Sequence, residues 1–125
     1  MVKVAILNLR NPENINRWII GGPPQVPKTS PFHSEQIQIA YVKNIQKGIL
    51  EKEPEHYHTS PIEEFYLVLK GTLKVKVEEN TITVKPMQIL AIPPKTRHKI
   101  INHSQKLQYF TIRAPISTEK TKIET

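Results

Sequence analysis

Two segments of the 125-residue chain carry histidines at the spacing of a β-strand. Residues 55–71 read EHYHTSPIEEFYLVLKG, and residues 92–102 read IPPKTRHKIIN. Because side chains two residues apart on a strand point to the same face, His56 and His58 present both imidazoles to one side, while Tyr57 points away. The pattern predicts β-strands that bring polar ligands to one cavity.

A carboxylate and a third imidazole complete this set. Glu64 precedes an apolar, strand-forming run. A carboxylate at that position is expected only if a cation lies close to it. His98 follows a two-proline turn and shares inward parity with Ile100 on the next strand. Three imidazoles and one carboxylate bind a divalent transition metal and leave room for water, substrate or dioxygen. We therefore expect four metal ligands: His56, His58, Glu64 and His98.

The remaining histidines that invite comparison, His33 and His103, have no paired ligand at strand spacing. A lone histidine is usually a surface residue or a core group with its hydrogen bonds satisfied. His103 also has outward parity if His98 points inward. Neither residue is expected to bind the metal.

The two segments resemble the first and second sequence motifs of the cupin superfamily. By that similarity the four ligands match the cupin ligands, and Gly71 matches the glycine that closes the first motif. Lys95 stands where the second motif usually has glycine, and Met87 and Gln88 replace its opening Gly-Asp. These departures affect turns, where glycine supplies positive φ and aspartate caps the backbone, rather than ligation.

The resemblance implies an all-β chain folded as an antiparallel double-stranded β-helix, the cupin or jelly-roll barrel, with one divalent transition metal (Fe, Mn, Ni or Zn) per chain. The length suits a single domain. We expect the barrel over residues 36–115 and a polar tail over residues 116–125. Residues 1–35 are expected to hold an N-terminal strand at 2–9 and a further extended segment at 17–20. A proline-rich loop at 21–31 would then cover the surface or close the cavity as a lid.

Strand parity after Glu64 places Tyr66 and Val68 inside the barrel. The hydroxyl of Tyr66 either orients a ligand and donates a proton, which makes Tyr66 the candidate catalytic residue, or belongs to an ordinary core aromatic. On the last strand Tyr109 and Arg113 share one face, and parity alone leaves open whether that face points inward.

The same parity turns Phe65, Leu67 and Leu69 outward. Monomers seldom expose such an apolar row, so either the N-terminal segment or a second subunit must cover it. We expect a homodimer.

Among metal-dependent reactions the sequence favours a dioxygenase. An isomerase or epimerase needs a general base, and the sequence offers no inward carboxylate besides Glu64. A non-catalytic cupin that binds a small ligand is the third alternative, since the superfamily includes all three classes and a fold does not fix a reaction.

The formal net charge is +7, but the basic residues are dispersed along strands and turns. Without a recognition helix, nucleic-acid-type aromatics or a basic arm, nucleic-acid binding is not expected. Lys95, Arg97 and Lys99 either attract an anionic small-molecule substrate or only solubilise their turn. The chain has no cysteine, and no signal-like or membrane-spanning run is apparent, so a cytoplasmic protein is the default expectation.

Overall fold

The computed structural model describes residues 4–10, 15–43, 45, 48–58, 61–116 and 121–122. The described residues form ten strands and one short 3₁₀ helix at Leu50–Lys52. The strands are β1 (Ile15–Ile20), β2 (Gln38–Lys43), β3 (His56–Tyr57), β4 (Glu63–Lys70), β5 (Leu73–Val77), β6 (Asn80–Val84), β7 (Gln88–Ile92), β8 (His98–His103), β9 (Gln108–Ala114) and β10 (Thr121–Lys122).

The strands form two five-stranded antiparallel sheets. Sheet A has the order β1-β2-β9-β4-β7, and sheet B has the order β10-β3-β8-β5-β6. One core cluster draws Val68 and Tyr109 from sheet A and Val75 and Ile100 from sheet B, so the sheets pack face to face. The predicted all-β antiparallel cupin architecture is confirmed.

Alternation along β4 follows the predicted parity. Glu64, Tyr66 and Val68 are buried, whereas Phe65 and Leu67 on the other face are only partly buried. On β9 the inward face, which parity left open, is the one that carries Tyr109, Thr111 and Arg113 (all buried). The homodimer that would cover the outer face stays a prediction.

The N-terminal part departs from expectation. Residues 4–10 form no strand, and Val4 and Ile6 are 89% and 93% exposed, so no apolar contact favours an extended pairing there. The strand that precedes the proline-rich loop is instead β1, which pairs with β2 and includes the extended segment predicted at residues 17–20. Residues 2 and 3 of the predicted strand lie outside the described residues.

The proline-rich loop at residues 21–31 is described in full. It folds through turns and buries Val26 beside Ile19 and Phe32, forming a small surface pocket with β1. None of its residues lines the central cavity described below. Its role as a lid stays a prediction.

Strand β8 contains a β-bulge that changes its parity. Val75 of β5 pairs with Ile100, but the preceding Lys74 pairs with Asn102, so Ile101 is an extra residue. The bulge turns His103 inward, where it is 3% exposed. The expected outward orientation of His103 is therefore wrong, because simple alternation fails at the bulge.

Candidate metal centre and its cavity

Three histidines from sheet B and the loop that follows β3 converge between the sheets. His56 on β3 pairs directly with His98 on β8, and His58 lies one residue past the end of β3. One ring nitrogen from each histidine can be chosen so that all three lie within 4.8 Å of one another. Among the described residues this is the one group of histidines and carboxylates with that geometry.

Backbone carbonyls fix the orientation of two of these rings. His56 Nδ1 lies 3.0 Å from the carbonyl oxygen of Pro54, and His98 Nδ1 lies 2.9 Å from that of Thr96. A carbonyl oxygen only accepts, so each Nδ1 carries the hydrogen and donates it. In the neutral rings the lone pair is then on Nε2, which is the arrangement found in metal-binding histidines. The donor set therefore fits a divalent transition metal.

Glu64 lies against two of the three rings. Its Oε2 is 3.4 Å from His58 Nε2, and its Oε1 is 3.2 Å from His98 Nε2. Two ligand atoms that are each about 2.1 Å from one metal lie roughly 3.0–3.4 Å apart in octahedral or tetrahedral geometry. Glu64 therefore lies at ligand-like distances from His58 and His98, but it is not one of the residues whose ligand atoms all lie within 4.8 Å of one another.

Arg113 and Tyr66 hold the Glu64 carboxylate from the other side. Arg113 Nε donates to Oε2 at 2.5 Å, and the Tyr66 hydroxyl donates to Oε1 at 2.9 Å. Burial acts to raise the pKa of Glu64, which is 1% exposed, but the close contacts with His58 and His98 and the charge of Arg113 outweigh it. The pKa of Glu64 lies well below its usual range, so this carboxyl group is ionised.

The two inward tyrosines remain protonated. Burial and the nearby Glu64 carboxylate raise the pKa of Tyr66 well above its usual value, and burial likewise raises the pKa of Tyr109. Their rings meet edge to face with centroids 5.8 Å apart. Both hydroxyls are therefore hydrogen-bond donors at neutral pH.

A cavity of about 240 Å³ opens beside His56 and Tyr66. The other residues of its lining come from β1, β2, β8, β9 and the segment around the 3₁₀ helix; they are Arg17, Trp18, Ala40, Val42, Ile49, Leu50, Glu53, Ile100, Tyr109, Thr111 and Arg113. Charged and hydroxyl-bearing side chains are prominent among them. The lining is therefore mixed, with apolar Leu50 and Ile100 as well as Glu53 and Tyr66 close to the histidines.

Glu53 is a functional residue that the sequence analysis missed. It follows the 3₁₀ helix, lines the cavity and places Oε1 3.8 Å from His56 Nδ1. A second carboxylate therefore lies at the edge of the cavity, with its side chain 46% exposed, although no second carboxylate was expected there. The glutamate lies outside any strand, so strand parity could not reveal it.

The basic residues of the cavity also differ from those expected. Arg17 and Arg113 line it, whereas Lys95 and Arg97 do not. Lys99 instead supports the cavity wall, because its Nζ donates to the carbonyl oxygens of Glu51 and Glu53 at 2.6 and 2.7 Å.

A family model for the cupin domain matches residues 45–112, which is more than half of the chain and includes all four expected ligands. The chain belongs to the cupin family. No curated protein matches it at a significant level. No helix among the described residues of this cupin is long and apolar enough to span a membrane.

Solved structures share the fold at low identity. A cupin with a double-stranded β-helix fold from Methanocaldococcus jannaschii is 20% identical with a TM-score of 0.62, and the match covers 92% of each chain. KdgF from Halomonas sp. is 15% identical (TM-score 0.57; 69% of this chain and 74% of that chain). A Streptomyces Pac13 variant with uridine is 13% identical (TM-score 0.58; 73% and 70%), and Pac13 is described as a nucleoside dehydratase. At these identities the likeness establishes the fold alone.

Proposed function

We propose that this cupin is a metal-dependent enzyme that moves protons on a small molecule, as a lyase or isomerase does, without consuming oxygen. The observation that carries the proposal is the convergence of three buried imidazoles, two with fixed tautomers, beside a cavity that one of them, His56, lines together with Glu53 and Tyr66. Oriented imidazoles support a metal, and the two added groups support acid-base chemistry.

His56, His58 and His98 would hold the metal, with Glu64 as the fourth ligand. A divalent ion there would act as a Lewis acid that polarises a substrate oxygen. Arg113 and Tyr66 keep the Glu64 carboxylate oriented through their hydrogen bonds, so its position does not depend on the ion alone. We propose one such metal per chain, of unassigned identity among Fe, Mn, Ni and Zn.

Glu53 is the proposed proton acceptor. Its carboxylate stands at the cavity wall beside His56, where it can reach a carbon next to a polarised carbonyl or hydroxyl. Tyr66 is the proposed proton donor to a substrate oxygen, because its hydroxyl belongs to the same cavity and already donates to Glu64. Val42, Leu50 and Ile100 exclude water from the inner wall.

A dioxygenase is the competing reaction, and the sequence alone favours it. That preference depends on the lack of a candidate base besides Glu64, and Glu53, although its side chain is 46% exposed, brings a carboxylate to the edge of the cavity. A cavity that holds both a candidate acid, Tyr66, and a candidate base, Glu53, suits proton transfer better than oxygen activation. The two neighbours Pac13 and KdgF support the fold of such an enzyme without deciding the reaction.

A deuterium-exchange assay tests the proposal across several classes of substrate. Protein loaded separately with Zn, Mn, Ni and Fe(II) is incubated in deuterated water with small hydroxy acids, oxo acids, sugars and nucleosides, and carbon-bound deuterium is followed by NMR. We expect metal-dependent exchange or elimination that persists without oxygen. The Glu53→Gln variant should lose at least about 100-fold in rate while it keeps its metal.

Two results would contradict the proposal. Substrate-dependent oxygen uptake by the Fe(II) form, with no exchange under argon, would identify a dioxygenase. A stoichiometric metal with no reaction on any compound, together with tight binding of one of them, would identify a binding protein instead. Glu63→Gln is the matched control for Glu53→Gln, since Glu63 is exposed on β4 and does not line the cavity.

A further inference from the structure

We propose that Arg113, supported by Trp18, forms a carboxylate-binding subsite in the cavity, so that the substrate is a small organic acid. The inference rests on the proposed function, because it names the substrate class of the same cavity. It assigns Arg113 a role in binding as well as in holding Glu64.

Only one edge of the Arg113 guanidinium is hydrogen-bonded to another described residue. Nε donates to Glu64 Oε2, while no hydrogen bond joins the Nη nitrogens to any residue in the described part of the chain. Arg113 is 7% exposed and lines the cavity. Its Nη nitrogens have no hydrogen-bond partner among the described residues, yet they are not fully shielded from solvent. These two donors therefore face the cavity. A guanidinium group can bind a carboxylate through two parallel hydrogen bonds.

Trp18 fixes the plane of this fork. The guanidinium carbon of Arg113 lies 4.9 Å from the centroid of the Trp18 ring, and Trp18 lines the same cavity. The guanidinium thus lies over an aromatic ring and is hydrogen-bonded along one edge, and both contacts limit its rotation. A group held in this way loses little conformational entropy when it binds a ligand.

The net charge of the cavity favours binding of an anion. The charge of Arg113 is matched by Glu64, and that of Arg17 by Glu53, so a divalent metal held by Glu64 and three neutral imidazoles would give the cavity a net positive charge. The volume of about 240 Å³ equals that of about eight water molecules, which suits a small acid rather than a polymer end.

The experiment compares lactate with 1,2-propanediol, which keeps the secondary hydroxyl group of lactate but has a hydroxymethyl group in place of the carboxylate. Binding of each to the metal-loaded protein is measured by titration calorimetry, so the readout does not depend on turnover. Arg113→Gln should weaken lactate binding by about tenfold or more and weaken binding of the diol much less. Trp18→Leu, which does not touch Glu64, should weaken lactate binding by about 2- to 30-fold.

Lys95→Gln is the matched control, because it removes one positive charge from an exposed turn outside the cavity and should leave lactate affinity unchanged. Metal content and unfolding are measured for every variant, and Trp18→Leu still tests the subsite if Arg113→Gln does not fold. Unchanged lactate affinity in folded, metal-loaded variants would overturn the proposal, and so would an equal loss for lactate and the diol.

The outcomes separate the subsite from the reaction. Lactate binding that depends on Arg113, in a protein that exchanges no carbon-bound proton, would keep the carboxylate subsite and reject the enzyme. Proton exchange on neutral substrates, with no effect of Arg113→Gln on lactate, would keep the enzyme and reject the subsite.

Discussion

His103 Nε2 lies 3.5 Å from Glu51 Oε1 and so joins the end of β8 to the 3₁₀ helix. The imidazole is fully buried, and its Nδ1 donates to the carbonyl oxygen of Ser104 at 2.7 Å. Both carboxylate oxygens of Glu51 are inaccessible to solvent, and neither accepts a hydrogen bond from a described residue. The contact with His103 is thus the polar side-chain contact that the described residues give the buried Glu51 oxygens, on a segment that supplies Leu50 and Glu53 to the cavity wall.

Removing either partner of this pair should destabilise the protein. We expect Glu51→Gln and His103→Gln each to lower the free energy of unfolding by about 1–3 kcal/mol, because the remaining group stays buried. The double variant should lose less than the sum of the two. A double-mutant cycle in urea measures this coupling, and additive losses would show that the two side chains do not interact.

Loss of one imidazole should abolish metal uptake. We expect His58→Ala and His98→Ala to weaken metal binding by at least about 100-fold, because each removes a nitrogen from the three that converge. Metal content after dialysis against a weak chelator measures the effect. His33→Ala is the control, since His33 is outside the group, and a His58→Ala protein with stoichiometric metal would reject the ligand assignment.

Gly71 should tolerate alanine poorly. Its φ is +74°, and an added Cβ would lie 3.1 Å from Leu107 Cα and 3.2 Å from the Lys106 carbonyl oxygen, besides meeting the Ser104 hydroxyl. Gly48 also has positive φ, at +98°, but its Cβ would meet nothing. We expect Gly48→Ala to cost about 1–2 kcal/mol in unfolding free energy and Gly71→Ala clearly more. Equal losses in thermal unfolding would show that the contacts do not matter.

Alkaline pH should destabilise the fold through Tyr109. Burial raises its pKa in the folded state above the ordinary value of about 10, so the stabilisation is fully present below that pH and is lost as pH rises through the folded pKa. The unfolding free energy should therefore fall above about pH 10. Tyr109→Phe should make this decline shallower, as measured by urea unfolding across that range. An unchanged slope would place the sensitivity elsewhere.

The sequence predicted the parts of the site that depend on local alternation. His56 and His98, and also Tyr66 after Glu64, point inward because neighbouring residues on an undisturbed strand alternate between the two faces. The arrangement of the strands in two sheets could be predicted only from the resemblance to the cupin motifs, because no single segment specifies which strand it pairs with. Strands β2 to β9 accordingly lie within the barrel predicted over residues 36–115.

The missed parts depend on pairing between distant segments. His103 turns inward because β8 pairs with β5 through a bulge, and nothing in its own sequence marks Ile101 as the extra residue. Arg113 could face either way, since both faces of β9 carry large side chains. Glu53 reaches the cavity from a 3₁₀ segment, where strand alternation has no meaning.

The bulge at Ile101 makes β8 two half-strands joined out of phase. The first half places His98 beside Glu64 in the candidate metal centre, and the second half places His103 against Glu51 in the segment of the cavity wall. A strictly alternating strand would have placed Asn102 inside and His103 in solvent. One inserted residue thus lets a single strand serve two separate tasks, and each half can change its side chains without forcing a change in the other.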